Sequence, residues 1–196
     1  MLTRLAWIAA IVVGLAAGGF AFHFPGSYGN AVIDPAAAIV GIVIGGINGL
    51  LVGALAWMAL RLSSATGFRV LAWSIALIGV THAMNDASST GIPFVVVEAV
   101  AGLVAAGTAV WVLRERRPRL VVAVGVAWTA GIVLGGWSGD WLGLPFSETP
   151  IGWSVDHAWD GLITGLVWGV ATATMGLPDA LRAGSVGRLT PAPAYE

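Results

Sequence analysis

Two short patterns of histidine and acidic residues stand at the ends of long apolar stretches. His82-Ala-Met-Asn85-Asp86 ends one stretch, and His157-Ala-Trp-Asp160 lies at the start of another. Because residues three or four apart share a helix face, His82 aligns with Asn85 and Asp86, and His157 aligns with Asp160. Imidazole beside a carboxylate or amide oxygen at this spacing can bind a divalent metal, relay protons or hold a polar ligand.

Three interpretations of these patterns stay open. The first is a zinc, iron or manganese site formed by His82, Asp86, His157 and Asp160. The second is a haem with His82 and His157 as axial ligands, facing each other across a helix bundle. The third is structural: a His-x-x-Asp pair forms a helix-end hydrogen bond, and Asp156 and Asp160 favour a helix amino terminus.

Two further polar residues lie inside apolar stretches. Glu98 belongs to the run 94–100, where an ionised side chain facing lipid costs a few kcal/mol. It shares a face with Gly102 and Ala106, on which another helix can pack, so we expect it to face the bundle. The alternative is a protonated or snorkelling glutamate near the interface. Asn48, deeper in its stretch, is expected to hydrogen-bond a neighbouring helix or to contact a ligand.

The elements that carry these residues belong in a membrane. Of the 196 residues, 58% are hydrophobic and 10% are charged, against a charged share of about 25% in soluble domains. All basic residues are arginine and the formal net charge is -1, so no basic surface exists to bind nucleic acid. The chain has no cysteine, which excludes disulfides and thiolate metal sites.

The apolar stretches predict an all-α integral membrane protein with six transmembrane helices in one domain, residues 1–178. Each stretch is close to the 20 residues or so that a helical span needs. Seven of the nine prolines lie between spans or at their ends, where a missing amide donor does no harm. The predicted spans are residues 5–22, 38–60, 70–85, 93–113, 120–137 and 156–177.

The arginines predict the orientation of these spans. They precede the first span, flank the second connection, fill the fourth and follow the last, whereas the first, third and fifth connections have none. By the positive-inside rule, this side faces the cytoplasm and both termini lie there, which indicates a multi-pass plasma-membrane protein. A cleaved signal peptide is the competing interpretation of the first span, but its apolar run exceeds the usual 7 to 15 residues of a signal core. The arginines are Arg4, Arg61, Arg69, Arg114, Arg116, Arg117, Arg119, Arg182 and Arg188.

Rows of small residues predict where the helices pack closely. Small side chains at every fourth position let the backbones of membrane helices approach each other. We therefore expect spans one, two and six to be tightly packed, against each other, a second copy or partner subunits. The rows are Ala6, Ala10, Gly14 and Gly18 in the first span, Gly41, Gly45, Gly49 and Gly53 in the second, and Gly161, Gly165 and Gly169 in the sixth.

The connections and the tail complete the layout. Two outer connections, 23–37 and 137–155, are long enough to be lids over a site. Tryptophans in the second could equally form an interfacial belt. The tail, 179–196, is expected to be a disordered cytoplasmic segment.

These features rank three functions. The first is a protein that binds or transports a small molecule or ion at an outward-facing polar site. The second is a structural or assembly subunit of a larger membrane complex. In one form of this hypothesis the complex carries a metal or a haem. An intramembrane metal-dependent enzyme ranks last, because it needs three convergent ligands plus an acid or base, and no nucleophile elbow, phosphate loop or HExxH motif occurs. The predicted ligand contacts are Asn48, His82, Asn85, Asp86, Glu98, His157 and Asp160.

Overall fold

The computed structural model describes residues 1–21, 35–87, 94–113, 117–141 and 150–186. Within these residues all regular secondary structure is helical, with no strand. Its seven helices are α1 (Leu2–Ala21), α2 (Pro35–Leu60), α3 (Ser64–Ala87), α4 (Phe94–Trp111), α5 (Pro118–Trp141), α6 (Pro150–Thr174) and α7 (Leu177–Val186).

The long helices have the composition of a membrane protein. Helices α1, α2, α3 and α5 are each long and apolar enough to cross a bilayer, and α6 taken with α7 is a fifth candidate that bends by 63° between the two. Helix α4 is also apolar, but its 18 residues span about 27 Å, slightly less than the ~30 Å hydrocarbon core. The described part of the chain therefore contains four or five candidate membrane spans, and each of the six predicted spans coincides with one of α1–α6.

Helices α1 to α6 form a closed ring in chain order, because each packs against the next and α6 returns to α1. Neighbours in the ring run antiparallel. In the α2–α3 pair, for example, Gly45 lies opposite Ile78 and Gly53 lies opposite Leu71. An up-and-down ring of this kind places the odd-numbered connections at one end of the bundle and the even-numbered ones at the other.

The glycine rows are used inside the chain. A Cβ added at Gly53 of α2 would lie 2.8 Å from the Cα of Leu71 on α3, and one added at Gly165 of α6 would lie 2.7 Å from the Cα of Val12 on α1. Backbones that approach this closely gain dispersion contacts that lipid cannot supply. The predicted tight packing of spans one, two and six is therefore present, and the partners of these rows are α1, α2 and α3 of the same chain.

Four tryptophans fill the centre of the ring. The ring of Trp168 lies 6.3 Å from that of Trp7, 5.1 Å from that of Trp73 and 5.2 Å from that of Trp128. All four are at most 2% exposed. Since Trp7 is less than one turn from Arg4, this tryptophan cluster occupies the arginine-bearing half of the bundle.

Several helix ends differ from the prediction. The outer connection predicted at 137–155 is largely helical, because α5 continues to Trp141 and α6 begins at Pro150. Proline is favoured at the first position of a helix, where its missing amide is not needed. As a result Asp156 lies in the second turn of α6, so the interpretation of the two aspartates as helix-terminal residues is wrong. The third span likewise begins earlier than residue 70, at the start of α3.

The predicted tail also differs from the structure. Residues 179–186 are helical and belong to α7, whereas 187–196 lie outside the described residues. The helix is short and amphipathic, with Leu177 and Leu181 buried in the core of the bundle. The expectation of disorder is therefore wrong for the first part of the tail, because the bundle supplies the apolar surface that the isolated segment lacks.

Two polar contacts join helix α7 to the start of α1. The Arg4 guanidinium forms a salt bridge of 2.8 Å with Asp179, and Arg182 donates a hydrogen bond of 2.9 Å to the Thr3 hydroxyl. Both pairs are exposed, so each adds little to stability. They do bring the two ends of the described chain to the same end of the bundle.

Candidate ligand site

A cavity of about 140 Å³ lies between five of the six ring helices. It combines aliphatic walls with an unusual number of polar side chains for the interior of an apolar bundle. Four of the seven predicted ligand contacts line it, contributed by α2, α3 and α6. The lining residues are Leu15, Gly19, Asn48, Ile78, Thr81, His82, Trp128, Ile132, His157, Asp160, Gly161 and Thr164.

His82 reaches the cavity because α3 packs unusually close to α2. A Cβ added at Gly45 would lie 2.6 Å from the Ile78 carbonyl oxygen and 2.7 Å from the His82 Cβ. The same Cβ would lie 2.8 Å from Cδ2 of the imidazole. Glycine at this position therefore provides the space in which the His82 ring sits against the backbone of α2.

His157 and Asp160 line the cavity from α6. Their three-residue spacing puts them on one helix face. Gly19 of α1 lies directly against the His157 carbonyl, and a Cβ added at Gly135 of α5 would lie 3.1 Å from the Asp160 Cα. Glycines on both flanking helices thus allow this turn of α6 to pack closely against α1 and α5.

Asn48 of α2 lines the cavity from the side of α1. It is 3% exposed, and its amide fits against Gly18, where a Cβ would collide with Oδ1. The Oδ1 atom is buried and has no hydrogen-bond partner among the described residues. This atom therefore makes no hydrogen bond between helices, and both predicted roles of Asn48, helix–helix hydrogen bonding through the rest of the amide and ligand contact, stay predictions.

Trp128 of α5 belongs to the tryptophan cluster and also lines the cavity. Its ring packs edge-on against Trp168. Unlike Trp7 and Trp73, which donate hydrogen bonds to Thr172 and Thr108, Trp128 has a buried Nε1 with no partner in the described part of the chain. A buried N–H donor without a partner costs about 1–3 kcal/mol, and Nε1 of Trp168, which does not line the cavity, has no partner among the described residues either.

Glu98 lies on the inner face of α4 and is fully buried, as the small-residue row predicts. Its backbone carbonyl accepts a hydrogen bond of 2.8 Å from the Thr129 hydroxyl, and a Cβ added at Gly102 would lie 2.8 Å from the Gly125 carbonyl oxygen. It is not, however, among the residues that line the cavity. No described residue of α4 lines the cavity, so the prediction that Glu98 shares a site with the histidines stays a prediction.

Two threonines in the cavity wall were missed by the sequence analysis. Thr81 is buried beside His82, and its hydroxyl donates a hydrogen bond of 2.8 Å to the Leu77 carbonyl of its own helix. Thr164 stands one turn after Asp160 on the same face of α6. The helical repeat of His157, Asp160 and Thr164 was the signal that could have found the second. Trp128 was also missed, although its position in the middle of a span sets it apart from tryptophans at the interface.

The two cofactor hypotheses, a divalent metal and a haem, can each be compared with the residues and volume of the cavity. Among the described residues, no group of three or more histidines and acids is arranged to hold a metal ion. Asp86, the fourth proposed ligand, has a side chain outside the described residues, as does Asn85, so the divalent-metal site stays a prediction. The 140 Å³ of the cavity among the described residues is well below the 300 Å³ or so at which pockets for larger ligands begin, so this cavity alone does not have the volume of a haem site.

The predicted residues thus divide into three groups. Asn48, His82, His157 and Asp160 meet at one cavity, Glu98 lies elsewhere in the core, and the other two are outside the described side chains. Residues 23–34 of the first proposed lid and 142–149 of the second lie outside the described residues as well. Comparison with protein-family models, curated proteins and solved structures finds no match for this chain.

Proposed function

We propose that this protein spans the membrane six times, has both termini in the cytoplasm, and binds a small polar molecule or ion in the cavity between its helices. One observation carries the functional part of the proposal. Asn48, His82, His157 and Asp160 come from three helices that are distant in sequence, and they line a single cavity. Function is proposed for this cavity because polar groups in a membrane interior are expensive and cluster where a ligand or ion is handled.

The ring of helices supports the six-span arrangement. Antiparallel neighbours are what six consecutive crossings produce, and a closed ring leaves no helix without two neighbours. The contacts of Arg4 with Asp179 and of Arg182 with Thr3 bring both ends of the chain together, as an even number of crossings requires. Helix α7 bends away from α6 by 63°, so it lies closer to the membrane plane than to its normal.

The position of the cavity supports an outward-facing site. It lies toward the end of the bundle where α1, α3 and α5 finish and where the connections without arginine are located. The tryptophan cluster separates it from the arginine-bearing end. We therefore propose capture from the outer side, since passage across the ring requires Trp128 and Trp168 to move.

The size of the cavity limits the ligand. An apolar cavity of about 150 Å³ holds one benzene molecule, so 140 Å³ suits a ligand with a handful of non-hydrogen atoms or an ion with one or two waters.

The two other functions have less support in the described part of the chain. An assembly subunit was suggested by the glycine rows as docking surfaces, and these rows are occupied by other helices of the chain. A metal-dependent enzyme needs three convergent protein ligands, and no such group occurs among the described residues.

The test is ligand-induced stabilisation of the purified protein in detergent. The probes are zinc, manganese, methylammonium, acetate and acetamide, each added alone while the unfolding temperature is measured. A ligand that binds only the folded state at 100 times its Kd stabilises it by about 2.7 kcal/mol. We expect at least one probe to raise the unfolding temperature of the natural protein by several degrees.

The matched control tests whether the probe acts at the cavity or at any carboxylate of α6. Asp160→Asn removes a carboxylate that lines the cavity, whereas Asp156→Asn removes one on the same helix that does not line it. We expect the first substitution to abolish the effect of the probe and the second to preserve it. Equal responses of the two variants, or no response of the natural protein to any probe, would contradict the proposed function.

A further inference from the structure

A groove of about 680 Å³ runs along the outside of the bundle between α5 and α6, and it shares no residue with the cavity. Val122 and Val126 line it and are 60% and 63% exposed, whereas Ala127 lies at its base and is buried. In a membrane, a groove on this surface opens toward lipid. Its volume falls within the range of about 300–1,000 Å³ that is typical of ligand pockets.

The groove lies in the arginine-bearing half of the bundle. On α5 it extends from Pro118, the first residue of the helix, to Ala130, and on antiparallel α6 from Met175, just after the helix, back to Val167. At 1.5 Å per residue, the part on α5 covers about 18 Å. One leaflet contains about half of the ~30 Å hydrocarbon core. The groove therefore has the length of one leaflet and begins at the membrane surface.

Side-chain size accounts for the groove. In the other half of the bundle, a Cβ added at Gly131 of α5 would lie 2.9 Å from the Cα of Thr164 on α6, so the two backbones are in close contact there. Toward the arginine-bearing end the two helices meet through Trp128 and Trp168, whose rings lie 5.2 Å apart. Indole rings need more room than glycine, which leaves space between the helices on the lipid side.

One charged side chain lines the groove. Arg119 is exposed and lies at the end of the groove nearest the membrane surface, and the other described residues of the lining are all apolar. An acyl chain matches the apolar part, and a phosphate beside Arg119 can accept charge-assisted hydrogen bonds from the guanidinium group. Basic pockets between membrane helices bind anionic lipid head groups in this way.

A second groove, between α4 and α5, shows what Arg119 adds. It has a volume of about 570 Å³ and also faces lipid, since Leu103 in its lining is 72% exposed. None of the described residues that line it is charged. An apolar groove accepts the acyl chain of any lipid, so of these two grooves only the one between α5 and α6 can distinguish an anionic head group from a neutral one.

We infer that the groove between α5 and α6 binds one anionic phospholipid, with an acyl chain along the groove and the phosphate on Arg119. This inference goes beyond the proposed function, because it uses no residue of the cavity and holds whether or not the cavity binds a ligand. With the orientation proposed above, the lipid belongs to the cytoplasmic leaflet, whose surface is negatively charged.

The experiment measures lipid binding to the full-length protein in detergent by native mass spectrometry. The probes are dioleoylphosphatidylglycerol, which is anionic, and dioleoylphosphatidylcholine, which has the same acyl chains and no net charge. We expect the anionic lipid to bind about fivefold more tightly, a ratio that corresponds to about 1 kcal/mol from one arginine near the surface.

Two pairs of variants locate the lipid. Arg119→Gln should abolish the preference for the anionic lipid, whereas Arg61→Gln should keep it, because Arg61 is an exposed arginine of the α2–α3 connection that does not line the groove. Ala171→Phe fills the groove and should weaken binding of the anionic lipid several-fold. Val170→Phe should not, because Val170 is an exposed neighbour outside the groove. The two pairs are independent, so a folding defect in one variant leaves the other pair as the test.

Three outcomes overturn the inference. The first is equal affinity for the two lipids. The second is an equal loss of preference in Arg119→Gln and Arg61→Gln, which would indicate attraction to the overall charge at this end of the bundle. The third is binding that Ala171→Phe leaves unchanged, which would place the lipid elsewhere. None of them bears on the cavity, whose test uses other probes and Asp160.

Discussion

His82 and Asn48 line the cavity because the helices that face them carry glycine where the two side chains pass. Gly45 provides the space for the His82 ring, and Gly18 provides the space for the Asn48 amide. A glycine inside a helix costs about 1 kcal/mol relative to alanine. Close packing of membrane helices offsets that cost. In this protein the same glycines also shape the ligand site.

Adjacent glycines in α2 allow this dual role to be tested. A Cβ at Gly45 would lie 2.6 Å from the Ile78 carbonyl oxygen, whereas a Cβ at Gly46 would meet only the Ile75 side chain, at 3.8 Å. We expect Gly45→Ala to lower stability by about 1–3 kcal/mol through overpacking, which corresponds to roughly 5 °C in unfolding temperature. Gly46→Ala should leave the unfolding temperature unchanged or raise it.

The same pair should also differ in binding. Since the added methyl group at Gly45 displaces the His82 ring, Gly45→Ala should weaken binding of the probe that stabilises the natural protein, and Gly46→Ala should not. Both substitutions gain the same helix propensity, so the difference isolates the contact with α3. Equal unfolding temperatures for the two variants would show that the α2–α3 approach is looser than described.

At the scale of residues, the sequence predicts some of the side chains that line the cavity and misses others. Helical spacing correctly puts His157 and Asp160 on one face, and the cost of a charge in lipid correctly puts Glu98 inside the bundle. It does not reveal that none of the described side chains of α4 lines the cavity, because that depends on the order and tilt of all six helices. Nor does it reveal Trp128, since which tryptophan borders the cavity depends on how α5 packs against its neighbours.

At the scale of elements, the apolar stretches were predictable and their ends were not. A run of about 20 apolar residues has few alternatives to a helical span. The end of α6 depends on local chemistry, because the chain bends after Thr174 and Gly176 adopts a positive φ of 81°. Helix α7 then forms because Leu177 and Leu181 bury against the bundle, a contact that no local pattern of the isolated segment predicts.

The bend between α6 and α7 makes Gly176 sensitive to substitution. A left-handed conformation costs a residue with a Cβ about 1–2 kcal/mol, and glycine avoids this cost. We expect Gly176→Ala to lower the unfolding temperature by a few degrees and to weaken the docking of α7 on α1. Nothing lies within 4 Å of a Cβ at Gly176, so any effect is conformational rather than steric.

Gly184 is the matched control for that substitution. A Cβ there also meets nothing within 4 Å, but the residue lies inside α7 without a positive φ. Gly184→Ala should therefore be neutral or slightly stabilising, because alanine is the better helix former. If both alanine variants behave alike in thermal unfolding, the bend does not depend on the conformation of Gly176.

At the scale of the whole molecule, the interior of the ring is aromatic in one half and contains a cavity with polar side chains in the other. Tryptophans fill the half near the arginines, and the cavity with its histidines occupies the other half. The arginine asymmetry seen in the sequence is therefore matched by an asymmetry in the interior. If the arginines face the cytoplasm, the cavity faces the outside, so the orientation of the chain decides from which compartment the ligand is taken.

This orientation is accessible to direct measurement because the natural chain has no cysteine. Single cysteines at Ser27, Ser89 and Ser147 lie in the three connections that we assign to the outer side, and cysteines at Glu115 and Thr190 lie on the side assigned to the cytoplasm. In intact cells, a membrane-impermeant maleimide should label the first three variants and should label the last two only after the membrane is opened. Labelling of Thr190→Cys in intact cells would place the carboxyl terminus outside and reverse the proposed direction of capture. Labelling of Ser147→Cys but not Ser89→Cys would instead show that α4 and α5 do not both cross the bilayer, since six crossings put residues 89 and 147 on the same side.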